Sequence, residues 1–136
     1  MNEPGNYLGI DWGEARIGVS FAERETRIAF AIATLKNDAT LFDRCKDIIK
    51  ERGADTIIIG APLYAHSSNS ASGGKSFGQV LEKALSVKVF FHNEMFTTKM
   101  AIENLKERGA KNIASSNDAE AARIILQEWL DSSKNF

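Results

Sequence analysis

The stretch Tyr7-Leu8-Gly9-Ile10-Asp11-Trp12-Gly13-Glu14-Ala15-Arg16-Ile17-Gly18-Val19-Ser20-Phe21-Ala22 decides the fold. Tyr7 to Ile10 reads as a short apolar strand ending at the carboxylate of Asp11, and Trp12 to Ala15 as a turn. From Arg16 onward Ile17, Val19 and Phe21 alternate with small or polar residues, the two-residue period of a half-buried strand. So short a connection makes the two strands antiparallel neighbours. A third strand is expected from Arg27 to Thr34, with Ile28, Phe30 and Ile32 on one face and alanines on the other, completing a meander.

Beyond the meander the period changes. Between Thr40 and Arg52, Leu41, Cys45, Ile48 and Ile49 recur at helical spacing, and Gly53 stops the helix. Thr56 to Gly60 is a continuous apolar run of the kind buried on both faces of a parallel sheet. Residues Ala61 to Lys75 are polar and rich in Ser, Asn and Gly, which predicts a mobile functional loop. Phe77, Val80, Leu81, Ala84 and Leu85 mark a second helix, and Val87 to Phe91 a fifth strand running into His92-Asn93-Glu94. Two more helices are expected, from about Thr98 to Arg108 and from about Asp118 to Asp131. Strands joined through helices are parallel with right-handed crossovers. The expected fold is α/β: a five-stranded mixed sheet, an antiparallel three-strand meander plus two parallel strands, with helices on both faces.

The chain of 136 residues fits a single domain over 1–136, with loose tails at 1–6 and 132–136. With 43% hydrophobic and 26% charged residues it has a globular composition. No apolar run is long enough to cross a bilayer, so no membrane is expected as a partner. Cys45 is the one cysteine, which fits a reducing, cytoplasmic compartment, and the opening MNEPGN does not read as a secretory leader. The chain is expected to be a monomer or a homodimer. A net charge of −1, with 17 basic residues scattered among 18 acids, argues against tight unaided binding to a duplex.

Three acids carry the candidate chemistry. Asp11 ends the first strand and Glu94 follows the fifth, so both are expected at the carboxyl edge of the parallel strands, where ligand sites form in open sheets. Asp118 lies four residues before Ala122, seven before Ile125 and eleven before Trp129, on the inward stripe of its helix. Taken singly, each acid fits a solvated loop position or a helix cap, and Asn117 with Glu120 resembles a capping box. A cap accounts for an acid at a helix start but not for its lying on the apolar side. Three converging carboxylates repel one another unless a hard divalent cation neutralises them, which implies Mg2+ or Mn2+ as cofactor and a phosphate-transfer chemistry.

Four segments also carry a family resemblance. Leu8 to Gly13 with Arg16 to Val19, then Ile59-Gly60-Ala61-Pro62-Leu63, then Asn93-Glu94-Met95-Phe96-Thr97-Thr98, and finally Asn117 to Ala122 with Ile125-Leu126-Gln127 resemble, in order, the motifs of the YqgF family. Its members are described as Holliday-junction resolvases and as pre-16S ribosomal RNA nucleases. The resemblance spans roughly Tyr7 to Leu130 and implies a ribonuclease-H-like fold with Asp11, Glu94 and Asp118 as catalytic metal ligands. It implies a nuclease acting on structured RNA or branched DNA.

Departures from the family pattern fall on basic residues. Met95 stands where an arginine is usual, Asn93 where an aspartate is, and Ala15 where a lysine is. The run from Lys111 to Asn117 lacks the usual cluster of Lys and Arg. Arg16 and Lys75 remain as candidate phosphate contacts, and Trp12, placed by the turn, is read equally as a base-stacking residue or as one packed over the sheet edge. His66 and His92 read as ordinary solvated or singly bonded histidines, and Thr97 and Thr98 as helix caps. The alternative reading is a non-catalytic binding or scaffold domain, favoured by the missing basic residues and opposed by the three acids.

Overall fold

A computed structural model of the chain describes residues 5–61, 69–93 and 114–132. Its elements are β1 (Asn6–Asp11), β2 (Arg16–Ala22), β3 (Ala29–Lys36), α1 (Leu41–Arg52), β4 (Ala54–Ala61), α2 (Asn69–Leu85), β5 (Lys88–Asn93) and α3 (Ala114–Ser132). The sheet order is β3-β2-β1-β4-β5, with β1, β2 and β3 antiparallel and β4 parallel to both β1 and β5. The expected mixed sheet is therefore present. The helix expected over Thr98 to Arg108 lies outside the described residues.

Strand parity divides the core. Leu8, Ile10, Ile17, Val19, Ile57 and Ile59 face one side, where they are covered by Leu41, Cys45 and Ile49 of α1 and by Leu81 of α2. Each such fully buried aliphatic side chain contributes about 1.5–3 kcal/mol. Tyr7, Ala22, Ala29 and Ile58 face the other side, against Ile125, Leu126 and Leu130 of α3. Helices thus cover both faces, and α3 lies over β2, β3 and β1.

Several boundaries differ from the sequence reading. Helix α2 begins at Asn69, so the second half of the expected loop is helical, although Gly73 and Gly74 lie within it. Glycine in a helix interior costs about 1 kcal/mol, and with no apolar period beside it a Ser- and Gly-rich stretch reads as a loop. Gly73 leaves room for Trp12, because a Cβ there would stand 2.9 Å from the indole nitrogen and push the ring aside. Strand β3 starts two residues later than expected, and Ile28 and Phe30 are exposed while Ala29 is buried. A bulge opposite Val19 and Ser20 shifts the register of this edge strand, so one alternation cannot describe its whole length. Gly5 and Asn6 are not loose. The Gly5 N–H donates to Asp55 Oδ2 at 2.7 Å, and Asn6 donates from its backbone to Gly53 and from its side chain to Arg52.

Candidate active site

Asp11 is the last residue of β1, level with Gly60 of β4 and with Gly18 of β2. Period two places it on the same face as Tyr7 and Gly9, the face that α3 covers. It is a carboxylate only 5% exposed, at the carboxyl edge of the parallel strands.

The route by which Asp118 reaches that edge runs through glycine. A Cβ on Gly18 would stand 1.7 Å from the Asp118 carbonyl oxygen, so the α3 backbone rests directly on the cross-strand partner of Asp11. One turn on, the Ser20 hydroxyl donates to the Ala122 carbonyl at 2.7 Å in a buried contact. Gly9 leaves room for Ala122 and Leu126. These small residues bring the helix into backbone contact with the sheet, and the Asp118 backbone lies over Gly18, the cross-strand partner of Asp11, as a consequence. The sequence contained that signal, since Gly9, Gly18 and Ser20 share one strand parity, but it becomes legible only when the partner helix is known.

Helix α3 starts four residues before Asp118, which places the acid in the second turn with Asn117 inside the helix. The capping-box reading does not hold. Glu120 instead accepts from Arg123 Nε at 2.8 Å. Asp118 has a charged neighbour of its own: Arg16, the first residue of β2, donates from Nε to Asp118 Oδ2 at 2.6 Å. The Asp118 side chain is 15% exposed and that of Arg16 43%, so the pair sits at the rim of the edge.

The remaining candidates separate. Trp12 is half-buried, its ring 5.2 Å from that of Phe77 on α2, so it braces the edge against that helix instead of standing clear in the turn. Lys75 is exposed on α2, not on a loop. Glu94, His66, Met95, Thr97, Thr98 and Lys111 to Ile113 lie outside the described residues. His92 Nε2 lies 3.2 Å from Glu128 of α3. Cys45 is core: burial pushes its thiol up to about 12, which leaves no thiolate at neutral pH. Among the described residues no three His, Cys, Asp or Glu side chains close on one point.

With the fold and the edge described, the chain can be compared with known proteins. The profile of the family described as "RuvX: Holliday junction resolvase" matches residues 5–132. This chain belongs to that family. A relative from Anaeromyxobacter sp., named "Putative pre-16S rRNA nuclease", is 34% identical over 92% of this chain and 96% of its own length. One of the same name from Burkholderia ambifaria is 32% identical over 91% of this chain and 87% of its own length. Among solved structures, T. thermophilus RuvC in complex with a Holliday junction substrate aligns with a TM-score of 0.59 and 14% identity over 94% of both chains. The fowlpox virus resolvase with Holliday junction DNA aligns at 0.55 and 14%, over 92% of this chain and 98% of that one. The two structural likenesses show a ribonuclease-H-like fold, the one that the YqgF resemblance implied.

Within the RuvX family frame, the donor set at this edge suits a hard divalent cation. Asp11 and Asp118 offer only oxygen ligands, from a strand end and a helix packed together through backbone contact. The guanidinium of Arg16, 2.6 Å from Asp118 Oδ2, already places one cation at this edge.

Proposed function

We propose that this chain is a divalent-metal-dependent endonuclease that hydrolyses a phosphodiester bond in structured nucleic acid, with pre-16S ribosomal RNA or a Holliday junction as its substrate. The observation that carries this reading is the seating of Asp118 on Gly18, which brings its carboxylate to the edge where Asp11 ends β1. Asp11, Asp118 and Glu94 would hold Mg2+ or Mn2+, and two such ions would supply Lewis-acid stabilisation of the attacking and leaving oxygens. The protein's own part is positional. Backbone packing of α3 on β2 fixes the two carboxylates, and Trp12 braced on Phe77 holds the chain that leaves Asp11. Arg16 places a cation beside the carboxylates, where it can bind a phosphate as that group arrives, and Lys75 on α2 would add a second.

In the hydrolysis, a water oxygen bonds to phosphorus while the bond from phosphorus to the leaving oxygen breaks. The water proton leaves with solvent, and the leaving oxygen takes up another. The test is a cleavage assay over junction DNA and structured RNA with Mg2+ or Mn2+, using Asp11→Asn as control. Cleavage by the wild type and none above background by a folded Asp11→Asn protein supports the reading. Wild-type cleavage by Asp11→Asn would remove this residue from the site. Binding without cleavage by the wild type, on every substrate and with either ion, would favour a non-catalytic scaffold.

A further inference from the structure

At the opposite end of the sheet from Asp11, the α3 face carries a second feature that the nuclease reading does not use. Tyr7, Thr56 and Lys88 lie level with one another near the starts of β1, β4 and β5. Together with Phe90, Trp129 and the arginines of the β2–β3 turn they enclose a cavity of about 290 Å³. That is close to the lower end of the sizes typical of small-ligand sites, about 300 Å³. Its floor is aromatic. The Trp129 ring lies 5.3 Å from that of Phe90 and 5.8 Å from that of Tyr7. Tyr7 is buried, yet Phe90 is 42% exposed, an apolar ring left uncovered on an edge strand.

The rim is cationic. The Arg24 guanidinium sits 4.7 Å from the Tyr7 ring centroid and that of Arg27 5.9 Å from it. Arg24 is partly neutralised by Asp55 at 3.4 Å. Arg27 is held instead by neutral acceptors: it donates to Tyr7 Oη at 3.3 Å and to the Leu130 carbonyl at 2.7 Å. Among the described residues neither Arg27 nor Lys88 has a carboxylate partner. Arg27 also has a φ of 54°, in the left-handed region that a long side chain rarely adopts. Its backbone is pinned there by its N–H to Glu23 O and by Gln127 Nε2 donating to its carbonyl. A strained backbone held by surrounding bonds, carrying a guanidinium held by neutral acceptors at the mouth of an aromatic cavity, is a pattern of ligand clamps.

We propose that this cavity is a nucleotide-binding site, taking a base against Phe90 and Trp129 and its phosphate on Lys88 and Arg27. Aromatic faces stack on any base, and guanidinium and ammonium groups together suit the phosphate. The nucleotide is either an unpaired residue of a nucleic-acid strand or a free nucleoside monophosphate. The site does not depend on the metal edge, and its test is run in EDTA so that failure of the nuclease reading leaves the result untouched. The full chain is titrated with AMP, with a four-residue single-stranded oligonucleotide and with inorganic phosphate, following the indole N–H signals of its two tryptophans. Loss of one signal in Trp12→Phe assigns the pair.

AMP and the oligonucleotide are expected to shift the Trp129 signal and leave that of Trp12 in place. Lys88→Glu, at an exposed position, is expected to weaken binding by about tenfold, the worth of one charge-assisted hydrogen bond. Arg27→Asn, which suits the positive φ, is expected to weaken binding likewise. Both variants are checked for unchanged folding by their remaining amide spectra. Oligonucleotide binding tenfold tighter than AMP assigns the site to a strand, and equal binding assigns it to a free nucleotide. A Trp129 signal unmoved by either, equal saturation by inorganic phosphate alone, or AMP affinity unchanged in Lys88→Glu would overturn the proposal.

Discussion

The two ends of the α3 face are built from opposite materials. At the acid end, Gly18, Gly9 and Ser20 let the helix backbone touch the strands, and what emerges is two carboxylates and one arginine. At the other end large rings, Tyr7, Phe90 and Trp129, meet between helix and sheet and line a cavity with a cationic rim. Close approach fixes geometry, whereas bulky spacers leave room. The contrast also bears on the charge of the molecule. Within a net charge of −1, Asp11 and Asp118 lie where the parallel strands end, and Arg24, Arg27 and Lys88 line the cavity where they begin.

The largest effect is expected from Gly18→Ala. A methyl group there collides with the Asp118 carbonyl, and that atom belongs to helix backbone that cannot turn aside. Overpacking of this kind costs about 1–3 kcal/mol and sometimes more. Urea unfolding is expected to show a loss at or above the top of that range, and any protein that folds is expected to lose Mg2+-dependent activity. Lys88→Ala at the pocket end is expected to leave stability within about 0.5 kcal/mol of wild type, as exposed sites do. Comparable stabilities for the two variants would mean that α3 is not seated as described.

A smaller effect is expected from Arg16→Ala. Partly exposed ion pairs contribute about 0–1 kcal/mol, so stability should barely move. Removing a cation beside Asp118 should strengthen Mg2+ binding, seen as a larger rise in melting temperature at a fixed Mg2+ concentration. A smaller rise than in wild type would show that Arg16 supports the ion instead of competing with it.

The smallest effect belongs to the pocket end. Asp55 is pushed up by burial, but hydrogen bonds from Gly5 N–H and the Thr56 hydroxyl, with the Arg24 charge, outweigh this and hold it below the ordinary value of 3.8. A carboxyl whose folded value is lowered adds stability above its unfolded value and loses it as pH falls through the folded one. Asp55→Asn should therefore slightly flatten the fall in stability below about pH 4 and change nothing at pH 7 beyond a constant offset. An unaltered acid limb would show that Asp55 carries none of that dependence.

Most of the sheet was legible in the sequence because its signals are local. Ile17, Val19 and Phe21 alternate, Ile57 to Ile59 run unbroken, and Gly53 ends α1 at a φ of 62°. What was not legible depends on partners distant in the chain. Nothing near Ser70 to Gly74 announces a helix, because the reason for Gly73 is Trp12. Nothing near Phe30 announces an exposed ring, because the bulge that reorients β3 is a property of its pairing with β2. The strand end at Asp11 and the inward helical position of Asp118 were legible from local spacing. The pocket went unread, since Tyr7, Arg27, Lys88 and Trp129 share no motif and meet only in the folded chain.

The seating of α3 also constrains which changes in chain length the molecule can tolerate. Asp118 meets Gly18 and Ala122 meets Ser20, so four helix residues advance alongside two strand residues. At about 1.5 Å per helix residue and about 3.3 Å per strand residue, those steps are about 6.0 and 6.6 Å. The two repeats are nearly commensurate over this step, and Gly9, level with Ser20, leaves room for both Ala122 and Leu126. A one-residue insertion between Asp118 and Ala122 would turn Asp118 by about 100° and put these contacts out of phase together. Single substitutions along this seam can be absorbed one contact at a time. Insertions and deletions cannot, so the spacing from 118 to 126 should be the least elastic stretch of the chain.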